Sequence, residues 1–202
     1  IRFFRKSHAL DCYPWGIDPN RVVLGGSSAG AFIALHTAYI DDLAEVPDVI
    51  DLTQNGLQGG LEGESGNPGY SSEVLSIINI SGAMGNADWM EPDDAGIVST
   101  HGTQDNVVPF GTGMVQLLGL NVTQVDGSWP IHIQAEEVGV PHAFTALEGE
   151  GHVPHMTDAQ AYDVTRAAVM SFTSQQVCPQ YPSIPAYYDV DAPPAVGCSG
   201  DL

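Results

Sequence analysis

Basic residues are the scarcest class in this chain. Five Lys+Arg face 25 Asp+Glu across 202 residues, a formal charge of −20 and a pI of about 4.2. Such a surface repels polyanions, which argues against nucleic acid and anionic membrane as partners. Three of the five cations, Arg2, Arg5 and Lys6, lie in the first six residues. The remainder is almost purely anionic, which suits either self-repulsion between soluble monomers or life in salty water, where the charge is screened. No apolar run nears the roughly 20 residues that span a bilayer. Initiator Met and apolar leader are both missing from Ile1–Lys6, so the chain is expected to be a piece of a longer one. Cysteine is also scarce: Cys12, Cys178 and Cys198. No His/Cys pair has zinc-ligand spacing. Cys178 and Cys198 bracket a Pro- and Tyr-rich stretch without helical or strand period, so a disulfide between them is expected. That bond implies an oxidising, secreted or periplasmic setting. Cys12 is left over. The 43% hydrophobic content is that of a globular chain, and the length fits one domain.

Strand and helix patterns alternate. Residues 1–10 carry apolar positions 1, 3, 4 and 10 among cations, which suggests a short helix. Arg21–Gly25 is a nearly continuous apolar run, the pattern of a strand buried on both faces of a parallel sheet. Ala31–Ile40 follows as a buried helix. Residues 41–72 form a long glycine-rich insertion, read as a cap over the site. Val74–Ser81, Ala95–His101 and Ala143–Glu148 read as further strands. Gly113–Asn121 and Ile131–Val138 are predicted to be helical, and Thr157–Gln176 is predicted as an amphipathic helix capped by Thr157. This order means βαβ units: an α/β fold with a mostly parallel sheet and helices on both faces. The expected organisation is a catalytic domain over 1–177 and an irregular tail over 178–202.

The most informative segment is Gly26-Ser27-Ser28-Ala29-Gly30. A bare G-x-S-x-G is weak, but this one follows a buried strand and opens an Ala-rich helix. A turn so sharp strains the central residue and demands small neighbours. Ser28 is the candidate nucleophile, and the Ala29 N–H is the candidate oxyanion donor. A phosphate-cradling loop would need Gly-Lys-Ser/Thr, and no Lys is present. A nucleophilic serine needs a base and an orienting acid, which in this architecture follow in the order Ser, Asp/Glu, His, each after a later strand. Asp105 lies after the third strand in His101-Gly102-Thr103-Gln104-Asp105-Asn106-Val107-Val108-Pro109. After the fourth comes Gly149-Glu150-Gly151-His152-Val153-Pro154-His155. Asp105 is the candidate acid and His152, favoured over His155, the candidate base. His101 ends its strand and reads as a structural partner. His132 and His142 precede the last strand, on the wrong side for this role, and His36 reads as a satisfied helix residue.

Taken together and in order, Asp18-Pro19-Asn20-Arg21 leading into the Gly-Gly-Ser-Ser-Ala-Gly turn, His-Gly-Thr-x-Asp-x-Val-Val-Pro and Gly-x-Gly-His resemble the α/β hydrolases of esterase/lipase type. More narrowly, they resemble secreted bacterial carboxylesterase-like members. The resemblance covers about residues 1–177. It implies an acyl-enzyme mechanism with Ser28 attacking an ester carbonyl, His152 shuttling the proton and Asp105 holding the imidazole, without metal or cofactor. Such folds carry several strands and a His-Gly-Gly-type oxyanion loop ahead of the nucleophile. Only 27 residues precede Ser28, so the fold is expected to be N-terminally incomplete, with exposed apolar surface favouring a homo-oligomer. A serine peptidase on the same fold and a catalytically weak or silent hydrolase domain are the competing readings.

Substrate preference is faintly written. Ser27 beside the nucleophile, Met84 and Trp89 after the second strand, and Val107 and Val108 beside Asp105 are candidate pocket walls, with ordinary core packing as the alternative. Small to medium esters are expected as substrates, acylated sugars or polymeric esters included. The carboxylates Asp41, Asp42, Glu45, Asp48 and Asp51 match no EF-hand spacing and read as a solvated face. Asn121-Val122-Thr123 is a formal glycosylation sequon.

Overall fold

Two of the apolar runs, Val74–Ser81 and Ala95–His101, supply the central strands, whereas the run at Arg21–Gly25 gives an edge strand that is half-buried, not buried on both faces, because it has a neighbour on one side only. The computed structural model describes residues 1–11, 15–48, 50–55, 58, 60–64 and 66–178. Its strands are β1 (Val23–Ser27), β2 (Ser76–Ile80), β3 (Ala83–Met84), β4 (Gly96–Gly102), β5 (Thr112–Leu117), β6 (Leu120–Gly127) and β7 (His142–Leu147). Its α-helices are α1 (Arg2–Leu10), α2 (Ala29–Tyr39), α3 (Ser128–Val138) and α4 (Ala159–Val177). Strands β1, β2, β4 and β7 pair in that order, all parallel. Short strand β3 pairs antiparallel with β6, and β6 with β5, in a second three-stranded sheet.

Alternation along the strands sorts the helices onto two faces. Ile77 and Ile97 bury on one face with Ala34, Leu35 and Tyr39 of α2 and Ile131 and Ala135 of α3. Thr100 points the other way, toward Thr165 of α4. Parallel strands send all their carboxyl ends to one edge, so the segments after β1, β2, β4 and β7 emerge together there.

Two local expectations are corrected. Gly113–Asn121 is not a helix but most of a β-hairpin. Leu118 and Gly119 both have positive φ, 52° and 78°, the mirror-image two-residue turn that matches strand twist. Apolar density suggested a helix there; the turn-forming Gly119 overrides it. The last helix is capped by Asp158, not Thr157: the Asp158 carboxylate accepts from the Ala161 N–H at 2.7 Å. The insertion is tied to α1 by arginine. Arg2 donates to the carbonyls of Glu62 and Asn67, and Arg5 to that of Ser71. Within it, Asp42 and Glu45 cap a short 3₁₀ turn and Asp51 accepts from Thr53. Cys178 is disulfide-bonded. Cys12, Cys198, Gly56, Gly59 and the tail beyond Cys178 lie outside the described residues.

Candidate active site

The turn after β1 is built for a side chain under backbone strain. Ser28 has φ 52° and ψ −121°, a left-handed conformation costing on the order of 1–3 kcal/mol. It persists because the backbone leaves no alternative. Ser28 N–H donates to the Ile80 carbonyl at 2.8 Å, and a Cβ on Gly26 would lie 2.1 Å from the Gly30 carbonyl carbon. Only glycine allows strand and helix to approach so closely. Ser28 does not spend its hydroxyl on capping α2. The side chain instead reaches across the sheet edge, and Oγ lies 2.8 Å from His152 Nε2.

His152 lies in the loop after β7, and Val153 behind it is also left-handed, φ 47° and ψ 51°. A β-branched residue rarely adopts this conformation, so the loop carries a second strained point beside the site. His152 Nδ1–H donates to Asp105 Oδ2 at 2.6 Å. The Asp105 side chain is fully buried, and His152 is 18% exposed at the site mouth. Asp105 Oδ1 accepts from the N–H groups of Val107 and Val108, 2.9 and 3.0 Å. His101 Nε2 adds a bond to Oδ2 at 3.1 Å. Burial pushes the Asp105 carboxyl up, but donation from His101, His152 and the two backbone N–H groups outweighs it. The net effect holds Asp105 below the ordinary carboxylate value. An ionised acceptor on Nδ1 leaves the Nε2 lone pair to take a proton from Ser28. Ala29 opens α2, so its N–H has no intrahelical partner and stands at the positive end of the helix.

The remaining candidates scatter. Ser27 is at this edge, its Oγ 3.5 Å from His155 Nε2. His155 Nδ1 is buried without a hydrogen-bond partner among the described residues. Met84 and Val108 do not wall a pocket. Met84 is fully buried in the main core, and Val108, 3% exposed, joins Ala83 and Val125 in a smaller cluster. The hairpin covers Val108, through Val125 of β6 and Val115 of β5, whereas Met84 is covered by α2 and α3. Val107 packs at the rim of that smaller cluster. Trp89 is engaged with His36, ring centroids 5.7 Å apart. A groove of about 1130 Å³ runs beside the second half of α2, lined by Ile33, His36, Ile50, Leu61 and Glu62 among others. The insertion borders that groove. Sequence reasoning did not single out Asn79 and Ser128, buried polar residues behind Asp105; a polar residue inside the apolar run Val74–Ser81 was the available signal. Among the described residues, no three His, Cys, Asp or Glu side chains are grouped to hold a metal, and no helix is long and apolar enough to cross a membrane.

A strained serine between a parallel strand and a helix, with an acid and a histidine after later strands, sits on the α/β-hydrolase fold, and that is the fold of this chain. Solved structures share it. Esterase 2 of Thermogutta terrifontis phosphorylated by paraoxon superposes with a TM-score of 0.58 at 21% identity, over 87% of this chain and 60% of that one. The native form of this thermophilic planctomycete esterase gives 0.57 at 20%, over 86% and 60%. A truncated carbohydrate esterase from gut microbiota gives 0.55 at 19%, over 87% and 65%. The chain thus spans about 60–65% of the length of these structures. No family model and no curated protein matches it.

Proposed function

We propose that this chain is the catalytic part of a serine carboxylesterase. The observation that carries the reading is the unbroken contact from Ser28 Oγ to His152 Nε2, 2.8 Å, and from His152 Nδ1 to Asp105 Oδ2, 2.6 Å. Ser28 Oγ attacks an ester carbonyl as His152 Nε2 takes its proton. The negative oxygen of the tetrahedral intermediate faces the Ala29 N–H, and the departing alcohol leaves with the proton held by His152. Water then attacks the acyl carbon as His152 takes its proton, and the bond to Ser28 Oγ breaks as His152 returns that proton to the serine, releasing the acid. Asp105 stays ionised throughout and steadies the imidazolium. The esterase neighbours support an ester over an amide as substrate. The disulfide at Cys178 supports an oxidising, secreted or periplasmic setting.

The test is direct. The chain should hydrolyse p-nitrophenyl acetate and should be labelled at Ser28 by an organophosphate, with little turnover of the matching anilide. Ser28→Ala should lower kcat by at least about 10³-fold. Unchanged turnover in that variant rejects the reading.

A further inference from the structure

Behind Asp105 lies a run of buried polar side chains that acid–base chemistry at Ser28 does not itself require. Asn79, His101 and Ser128 are fully buried and Ser99 is 3% exposed. Asn79 sits opposite Gly26 of β1 and Ser99 of β4 in register. His101 lies two residues beyond Ser99, so it shares that sheet face. Ser128 is the first residue of α3 and packs over the same face.

The bonds among them have one consistent direction. The Gly82 N–H can only donate, and it donates to Asn79 Oδ1 at 3.1 Å. This orients the Asn79 amide, so Nδ2 faces Ser99 Oγ and Ser128 Oγ, each at 3.0 Å. An amide NH₂ has no acceptor capacity, so Ser128 Oγ accepts from it. The Ser128 hydrogen then has two possible acceptors, His101 Nδ1 at 2.8 Å and the Gly82 carbonyl at 3.4 Å. His101 Nε2 faces two groups that only accept, Asp105 Oδ2 and the Val108 carbonyl, both at 3.1 Å, so Nε2 carries a hydrogen. In a neutral ring Nδ1 is then bare and takes the Ser128 hydrogen across the shorter contact.

We propose that Asn79, Ser128 and His101 are positioning residues: a one-way chain of donors that locks His101 as the neutral Nε2–H tautomer and so aims Asp105 Oδ2 at His152. With the opposite tautomer, a lone pair on Nε2 would face the carboxylate. Asp105 would turn away or take a proton, and His152 Nδ1–H would lose its acceptor. The source of direction is the turn after β2, where a Cβ on Gly82 would come within 2.4 Å of both Asn79 Oδ1 and Ala31 Cβ. The bare backbone lets the N–H reach the amide and seats the turn on the helix that Ser28 opens.

The kinetic arm of the test rests on the serine-esterase reading; the spectroscopic arm does not. In the 202-residue chain labelled with ¹⁵N-histidine, long-range ¹H–¹⁵N correlation at pH 7 should show His101 with a protonated Nε2 and a bare Nδ1. An Nδ1–H tautomer or a doubly protonated ring overturns the proposal whatever the activity. Ser128→Ala and Asn79→Ala should leave His101 a mixture of tautomers. They should lower kcat on p-nitrophenyl acetate by about 10–100-fold, the loss typical when outer partners of a tuned group are removed, with KM within about twofold. Wild-type kcat in folded Ser128→Ala, or a change confined to KM, also overturns it. If Asn79→Ala does not fold, Ser128→Ala and the wild-type spectrum decide. If Ser28→Ala retains full turnover, the esterase reading fails while the tautomer result still stands.

Discussion

Two regions hold histidines in opposite ways. At the carboxyl edge of the parallel sheet, His101 and His152 both donate to one buried carboxylate oxygen of Asp105. On the flank formed by α3 and β7, His132 stacks on Phe144 with ring centroids 5.0 Å apart and lies 4.8 Å from His142. Phe144 also meets Trp129 and Phe110 at 6.0 and 5.8 Å. There the rings pack chiefly as apolar surface, and His132 Nδ1 is buried with no hydrogen-bond partner among the described residues. The same side chain is a hydrogen-bond donor to a carboxylate in one place and a wall in the other. The difference is whether an ionised acceptor has been fixed within hydrogen-bond reach.

The largest test removes that acceptor. Asp105→Asn keeps the shape but replaces an oxygen that only accepts by an amide that can donate, which permits the wrong His152 tautomer. We expect kcat on p-nitrophenyl acetate to fall about 10⁴-fold. His132→Gln, on the other flank, should change it less than twofold. Comparable losses in both variants would dissolve the distinction between the two regions.

A smaller effect should appear in stability rather than rate. Phe144 is the hub of the aromatic flank, so Phe144→Ala should cost about 2 kcal/mol of unfolding free energy in urea. The pH–rate profile of the folded fraction should stay where it was. A displaced profile would mean that the flank communicates with Asp105.

The convergence of Ser28, Asp105 and His152 was legible because it depends on chain order as much as on space. A strand, a small-residue turn and an Ala-rich helix marked Ser28. Once a parallel sheet was inferred, loops after later strands had to return to the same edge, which singled out Asp105 and His152. The pocket was not legible. Met84 and Val108 looked like walls because each follows a strand, but the helices α2 and α3 cover the first and β6 covers the second. Strand β5 and the turn into β6 came from a segment whose apolar residues mimic a helix. Asn79 escaped notice for a related reason: in a run of isoleucines, one amide reads as tolerance until its partners on β4 and α3 are seen. Asp158 displaced Thr157 as helix cap by one residue, within the ordinary fraying of such boundaries.

The smallest test uses protons. Burial, and then the charge of His142, push the His132 ring below its ordinary value of 6.5, with Glu136 partly opposing. Burial and then His152 do the same to His155. A lowered folded value means the unfolded chain binds more protons below pH 6.5, so stability falls as pH drops through that value. Asp105 acts in a lower window. Its carboxyl is held below the ordinary value of 3.8, so its contribution is complete above that value and is lost only as pH falls through the depressed one. Between pH 7.5 and 5.5, these two half-buried histidines therefore set the slope among these groups. His132→Phe keeps a ring against Phe144 and removes one of the titrations. Its Tm should fall less than that of the wild type across this interval. Equal losses in the two proteins would show that the imidazole packed on the flank does not resist protonation, and the contrast with the edge of the sheet would then rest on Asp105 alone.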